Sequence, residues 1–475
     1  MAGISSALIA SSGIKFGTSG ARGLVEQFSD EACAAFTCAF MAVMREHFTF
    51  DRVAIGIDRR PSSPAMAAAC AGALQQLGLA VDYYGILPTP ALALKSMADG
   101  IPSIMITGSH IPFDRNGIKF YRPDGEIEKA DELAILAVNA EVAEAEPWLP
   151  EVSSAATDFY TRRYLDLFPA NLLAGKRIGL YEHSAAGRDI CADVLQKLGA
   201  TVVSLGRTET FVPIDTEAVS AEDQQRGKDW AAEYQLDALF STDGDGDRPL
   251  LGDETGTWLR GDILGLLCAR YLGIQALAVP VSCNSAIEAS GVFQQVLRTR
   301  IGSPYVIEGM QQLAADFAAV AGFEANGGFL LGTRITVNGC DVQALPTRDA
   351  LLPALVLLAI AVEAQQPISA ILAQLPARYT GSDRIQEFPT EKSQALIAGW
   401  REDIPALLAF LDMADAEVVE VNNTDGLRLS LASGEVVHLR PSGNAPELRC
   451  YAEAASVEAA SQLVADVLGK LATLR

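Results

Sequence analysis

The chain has 475 residues, 49% of them hydrophobic and 20% charged: too long for one core, and apolar enough to fill about three or four. A formal charge of −23 leaves no broad basic face, which excludes nucleic acid and anionic membrane surfaces as partners. An anionic substrate would have to be held by a local cluster of Arg and Lys.

Residues 1–13 lack a basic start and carry only a short apolar piece, so no signal peptide is expected. Residues 14–23 place three glycines and two hydroxyls around Lys15 and Arg22, which permits close backbone approach to an anion as readily as an ordinary surface turn. A helix is predicted over 30–45, a strand over 52–58, a helix over 63–77 and a strand over 79–84. Pro88-Thr89-Pro90 stops the chain before another helix, which leads into the apolar strand 104–106. Strands alternating with helices imply an α/β layer architecture. An acidic stretch with Pro147 and Pro150 closes the first unit. The second unit is read as strand 176–181, helix 187–197, strand 201–205, a helix around 230–234 and strand 236–240.

A third unit repeats the theme with helix 263–271 and strand 276–281. Residues 292–297 read as either helix or strand, and 304–321 as mostly helical. An exposed loop at 322–329 follows. The apolar run 350–362 contains Pro353 and is too short to cross a bilayer, so it is expected to be a buried helix. Residues 378–388 look like a linker, and a hinge, into a last unit of about ninety residues. The first three units share a strand–loop–helix rhythm. Eight scattered cysteines without a C-x-x-C pair point to free, mostly packed thiols and a cytoplasmic setting. Oligomeric state is not legible.

Four loops concentrate the chemistry. Residues 104–112 form a buried strand that breaks into a small polar loop and delivers the hydroxyl of Ser109. Residues 116–120 turn back and bring Lys119 toward the same place. Ser109 is therefore read as the carrier of a phosphoryl group. Asp243, Asp245 and Asp247, at alternate positions between glycines, can converge on one hard divalent cation: Mg²⁺, Mn²⁺ or Ca²⁺. A calcium EF-hand competes, since Glu254 falls at its twelfth position. Against it, Arg248 replaces the required glycine, and a strand rather than a helix precedes the loop. Arg248 is placed to donate to a phosphoryl group. Glu324 and Asn326 could pair with sugar hydroxyls, or form a plain polar turn. Arg440, Ser442, Gly443 and Asn444 carry the inventory of a phosphate cradle. No G-x-S-x-G, P-loop or dinucleotide fingerprint occurs.

The segments FGTSGARG, TGSHIPFDRNGIKF, DGDGDR, FEANGG and RPSGNAPE, in this order from Phe16 to Glu447, resemble the α-D-phosphohexomutase family. That family includes phosphomannomutases, phosphoglucomutases and phosphoglucosamine mutases. The resemblance implies an α/β chain of four domains, the first three related mixed α/β sandwich units and the fourth a smaller α+β unit. These would be a phosphoserine-loop domain (1–150), a metal-loop domain (151–255), a sugar-loop domain (256–376) and a C-terminal phosphate-binding domain (377–475).

The resemblance further implies that Ser109 is the phosphoserine and that Ser109, Asp243, Asp245 and Asp247 hold Mg²⁺. Lys119, Arg22 and the motif residue His110 would serve acid/base or charge-stabilising roles. Arg248, Glu324, Asn326, Arg440, Ser442, Gly443 and Asn444 would bind a phosphosugar. Hexose 1,6-bisphosphate is expected as activator. The implied reaction moves a phosphoryl group between O6 and O1 of a hexose, with mannose ahead of glucose and glucosamine behind both. A non-catalytic calcium- or sugar-binding protein is the competing class.

Two departures stand out. Gly108 and Ile111 replace the alanine and asparagine of the usual T-A-S-H-N-P; the first is a small-for-small exchange that looks harmless, while the second removes a loop-fixing amide. In the sugar loop Gly328 stands at the position of a family histidine, whose proton-transfer role therefore does not carry over.

Overall fold

The computed structural model describes residues 3–17, 20–442 and 446–474. Among these, three α/β units use one strand order. In the first, the parallel strands Ala80–Ile86, Arg52–Ile57 and Ser103–Ile106 lie side by side, and Arg115–Arg122 pairs antiparallel with the last of them. In the second, Thr201–Leu205, Arg177–Tyr181 and Ala238–Thr242 are parallel and Pro249–Gly252 returns antiparallel. The third repeats it with Gln295–Thr299, Ala276–Pro280, Val320–Phe323 and Phe329–Leu331, then adds Leu345–Asp349.

The fourth sheet is all antiparallel, in the order Tyr379–Ile385, Leu448–Ala454, Val436–Pro441, Leu427–Leu431, Val418–Asn422. Helix Val457–Ala472 packs against it.

This topology fixes where chemistry can occur. In each of the first three units a buried parallel strand runs out at its carboxyl end into a short connection, and the next strand turns back beside it. Ser109, the three aspartates and Glu324 all sit on those connections. The expected strand–loop–helix rhythm is therefore corrected: each chemical loop is followed by an antiparallel strand.

Three more expectations change. Within 304–321 the helix spans only Ser303–Leu313, and Val320–Phe323 is a buried strand. Residues 292–297 resolve toward strand Gln295–Thr299. The 378–388 linker is mostly the edge strand Tyr379–Ile385, hydrogen-bonded along its length to Leu448–Ala454, so it cannot act as a free hinge.

One apolar cluster runs through all three α/β units, including Leu92, Tyr160, Phe240, Phe323 and Leu355. The helix Leu351–Ala364 is buried over its first nine residues, as its unbroken apolar run requires. Pro353 costs it little, because the first helical turn has no intrahelical partner for its N–H groups. The last unit has a separate core around Phe388, Leu407, Leu439 and Leu471. It meets the third unit through polar bonds: Asn284 to the Arg378 carbonyl, Ser285 to Glu453, and the Ile301 N–H to Asp425. All eight cysteines are free, and seven are buried. No described helix is long and apolar enough to cross a membrane.

His438 in the last sheet donates Nε2–H to the Asp425 carbonyl at 2.6 Å, and its Nδ1 is buried without a partner. Burial pushes its imidazole down to about 4. Its folded-state value lies below the unfolded one near 6.5, so the stability it contributes is complete above pH 6.5 and is lost as pH falls toward 4. His438→Gln should remove that sensitivity. The stability gap between wild type and variant is expected to shrink by about 2 kcal/mol from pH 7 to pH 5, measured by denaturant unfolding.

Candidate active site

Ser109 lies just past strand Ser103–Ile106, with its backbone in the left-handed region at φ 54°. That conformation is strained for a residue with a Cβ and persists only where surroundings over-determine it. Here they do. Thr107 Oγ1 accepts the Ser109 N–H at 2.8 Å and donates to Asp58 Oδ2 at 2.8 Å. The Arg60 guanidinium, wholly buried, donates to the carbonyls of Ser109, Ile111, Pro112 and Arg115 at 2.6 to 3.1 Å, and its Nε lies 3.2 Å from Asp58 Oδ2. The Phe211 ring centroid lies 3.9 Å from the Arg60 Cζ. Arg60 therefore holds the loop by its carbonyls, a task for which the amide missing at Ile111 is not needed.

The same arginine gives the glycine at 108 a reason: the space of a side chain there is taken. A Cβ there would come within 2.6 Å of the Arg60 Nε and Cζ. Gly108→Ala should therefore cost about 1–3 kcal/mol by overpacking and lower kcat by displacing Ser109; thermal unfolding and steady-state rates check this.

The second loop meets the first at close range. Ser109 Oγ donates to Asp243 Oδ2 at 2.7 Å, and a Cβ on Gly244 would sit 2.7 Å from the Ser109 carbonyl oxygen. Gly246 takes the turn at φ 72°. Asp243 Oδ1 accepts the N–H groups of Asp247 and Arg248, each at 3.2 Å. Lys119 Nζ lies 2.6 Å from Asp245 Oδ2 and 3.0 Å from Asp247 Oδ2. Thr89 also donates to Asp245, at 2.8 Å.

Asp245 Oδ1 and Asp247 Oδ1 are buried with no hydrogen-bond partner, and the Arg248 Nε lies 3.6 Å from the second. Ligand oxygens from the three carboxylates lie within 4.8 Å of one another. Burial, then Asp245 and Asp247, push the Asp243 carboxyl well above the usual range. Buried carboxylate oxygens that lack a hydrogen bond, on three carboxylates this close together, are what a hard cation would satisfy, so the residues present fit Mg²⁺. The EF-hand reading does not survive. A strand enters the loop, and the Glu254 carboxylate accepts from Ser369.

Cations surround this acidic centre. His110 Nδ1 lies 3.3 Å from Ser109 Oγ and 3.1 Å from Arg248 Nη1, and burial, with Arg248 and Arg22, pushes its imidazole down to about 4. It is thus neutral, with Nδ1 as acceptor. Arg22 pairs through its backbone with Gly117 and faces Arg248, Arg348, Asp245 and Asp247.

The third loop is buried rather than exposed: Glu324 and Asn326 are 7% and 5% accessible. Asn326 Oδ1 accepts the Gly328 N–H at 3.0 Å, and its carbonyl accepts from Thr216 at 2.9 Å. Arg348, unread in the sequence, joins this loop to the metal loop. Its Nε and Nη2 lie 3.1 and 3.0 Å from Asp247 Oδ2, and its Nη1 lies 3.3 Å from Glu324 Oε2.

Arg440 and Ser442 lie at the end of strand Val436–Pro441. Arg440 Nε is 2.9 Å from Asp425 Oδ2 but off the N–H axis, so the pair is coulombic. Ser442 is buried, its N–H bonded to the Glu447 carbonyl. Gly443 and Asn444 lie outside the described residues.

Comparison with known proteins covers nearly the whole chain. Residues 13–146 and 260–379 match the models for phosphoglucomutase/phosphomannomutase alpha/beta/alpha domains I and III, and 382–470 match that for the C-terminal domain. A phosphomannomutase of Salmonella muenchen is 54% identical over 464 residues, covering 98% of this chain and 97% of that relative. One from Sinorhizobium fredii is 48% identical, covering 97% and 99%. A solved phosphoglucomutase/phosphomannomutase family protein from Burkholderia thailandensis superposes with a TM-score of 0.73 at 19% identity, covering 96% of both chains, which speaks for the fold alone. With its loops, its sheets and its relatives in accord, the chain belongs to the phosphoglucomutase/phosphomannomutase family of α-D-phosphohexomutases and is an enzyme.

Proposed function

We propose that this enzyme interconverts mannose 6-phosphate and mannose 1-phosphate, carrying the phosphoryl group on Ser109. The observation behind this reading is the 2.7 Å approach of Ser109 Oγ to a buried aspartate turn that keeps two carboxylate oxygens unpartnered. The preference for mannose rests on the 54% and 48% identical relatives, both phosphomannomutases.

In the forward step the Ser109 Oγ–P bond breaks as the free sugar hydroxyl forms its own bond to phosphorus, with net transfer of the hydroxyl proton to the departing Ser109 Oγ, giving a hexose 1,6-bisphosphate. In the return step Ser109 Oγ takes the other phosphoryl group. Its departing proton has two acceptors in reach, Asp243 Oδ2 at 2.7 Å and His110 Nδ1 at 3.3 Å. Lys119, Arg22 and Arg248 offset the charge that spreads over the phosphoryl oxygens, where preorganised donors contribute most. Mg²⁺ bound by Ser109, Asp243, Asp245 and Asp247 would neutralise those oxygens and polarise the P–O bond. Glu324 and Asn326 hold sugar hydroxyls while Arg440, Ser442, Gly443 and Asn444 grip the idle phosphate. Closing the separately cored last unit over the cleft would bring those four to the substrate. Hexose 1,6-bisphosphate restores any enzyme that loses its phosphoryl group, hence its role as activator.

Turnover on mannose 1-phosphate, glucose 1-phosphate and glucosamine 1-phosphate tests the substrate. The highest kcat/KM is expected for mannose, with glucose within about a hundredfold, because one epimeric hydroxyl discriminates weakly unless a buried polar group reads it. A preference for glucosamine 1-phosphate would overturn the assignment.

A further inference from the structure

We infer that Arg348 occupies the space of the side chain absent at position 328 and acts as a positioning residue that clamps the sugar-holding Glu324 to the cation-facing Asp247. The inference rests on the reading of those two carboxylates given under Proposed function.

Space is the first argument. A Cβ built on Gly328 would lie 2.6 Å from both Cγ and Cδ of Arg348, and 2.8 Å from its Cβ. Real Cβ atoms essentially never approach so closely, and the atoms met are the stem of a side chain anchored at its far end. A side chain at 328 and the Arg348 stem therefore exclude one another. Gly328 is the residue that lets the arginine pass.

Anchoring is the second. Arg348 sits in strand Leu345–Asp349, where successive side chains alternate in direction. Its neighbours are tied: Thr347 Oγ1 donates to Glu126 at 2.6 Å, and Asp349 accepts from the Tyr160 hydroxyl at 2.6 Å. With both flanks fixed, Arg348 is committed to the side of the strand that faces the cleft loops. Its side chain is only 4% exposed.

Geometry is the third. Nε and Nη2 fork onto a single oxygen, Asp247 Oδ2, and Nη1 reaches Glu324 Oε2. The fork occupies Oδ2 and leaves Asp247 Oδ1 without a hydrogen bond, 3.6 Å from the Arg248 Nε. Desolvating so many charges does not favour folding, and such a pair is well suited to fixing one geometry instead. A lysine could not reproduce it, because a point charge has no planar fork to span two carboxylates. Arg348 thus couples two loops that meet the substrate at different atoms: the Asp247 loop at the phosphoryl group, the Glu324 loop at the ring.

The experiment uses the full chain with Arg348→Lys, Arg348→Gln, Glu324→Gln and the Arg348→Lys/Glu324→Gln double variant. It measures kcat and KM for mannose 1-phosphate, Mn²⁺ affinity by electron paramagnetic resonance, and phosphate incorporation at Ser109. Arg348→Lys should fold with an unchanged unfolding midpoint. It should also raise KM and weaken Mn²⁺ binding, each by about tenfold to a hundredfold, the scale of losing a support behind a ligand. The KM effect should vanish in the Glu324→Gln background, because the clamp then has nothing to hold. Additive effects on KM, or values for Arg348→Lys within twofold of wild type, overturn the inference while wild-type phosphorylation at Ser109 leaves the mutase reading standing. A wild-type chain that never takes phosphate at Ser109 overturns both.

Discussion

Ser109→Ala should lower turnover by at least about a thousandfold, because it removes the atom that carries the phosphoryl group and leaves every other part of the machinery in place. The loop's shape does not depend on the hydroxyl. Arg60 holds it by four backbone carbonyls, and Thr107 and Asp58 hold its N–H side. The variant should therefore unfold within about a degree of wild type, a shift that corresponds to about 1 kcal/mol in a chain of this size. Intact mass after incubation with a hexose 1,6-bisphosphate provides the direct readout. Wild type should gain one phosphoryl group, lost again on addition of hexose monophosphate, and Ser109→Ala should gain none. If Ser109→Ala keeps near-normal turnover, the phosphoserine route is wrong however well the loop is built.

What could be read from the chain follows from how far apart the interacting residues lie. The strands 52–58, 104–106 and 236–240 announce themselves by branched apolar runs, and the aspartate loop by local spacing. Val320–Phe323 was hidden because Val-Ala-Gly-Phe carries little β-branching and continues an apolar pattern begun by a helix. Tyr379–Ile385 looked like a linker because it is an edge strand with no buried face, so no alternation marks it. Arg60 and Arg348 escaped for a different reason. Each acts on groups far away in sequence, 49 residues from Arg60 to Ser109 and 101 from Asp247 to Arg348. A charged residue at the end of an apolar strand, such as Arg60 after Ile57-Asp58 or Arg348 before the apolar helix, was the only signal available. Such a residue must be either exposed or paired, and the sequence does not say which.

Removing the cation should be the other decisive perturbation, and Asp243→Asn separates its role in chemistry from its role in stability. Chelation is expected to reduce wild-type turnover by about a thousandfold or more, and Mg²⁺ should restore it. At a hundred times its dissociation constant, Mg²⁺ should also stabilise the fold by about 2.7 kcal/mol, since it binds the native state alone. Asparagine at 243 can keep the local frame: its carbonyl can accept the Asp247 and Arg248 N–H groups, and its amide can face Ser109 Oγ. Yet it removes the carboxyl whose ionisation burial and its two acidic neighbours, all packed within 4.8 Å, already disfavour. In chelator the variant should therefore unfold at the wild-type temperature or above it, because like-charge repulsion is relieved without loss of a close ion pair; the Arg248 Nε is 4.0 Å away. With Mg²⁺ present it should gain little stability and turn over about a hundredfold or more slowly. Wild type stores repulsion among its carboxylates that the metal relieves, and the variant gives up that arrangement together with the catalysis it supports. A metal-free variant that unfolds well below metal-free wild type would show instead that Asp243 is a structural carboxylate, and that the cation binds elsewhere.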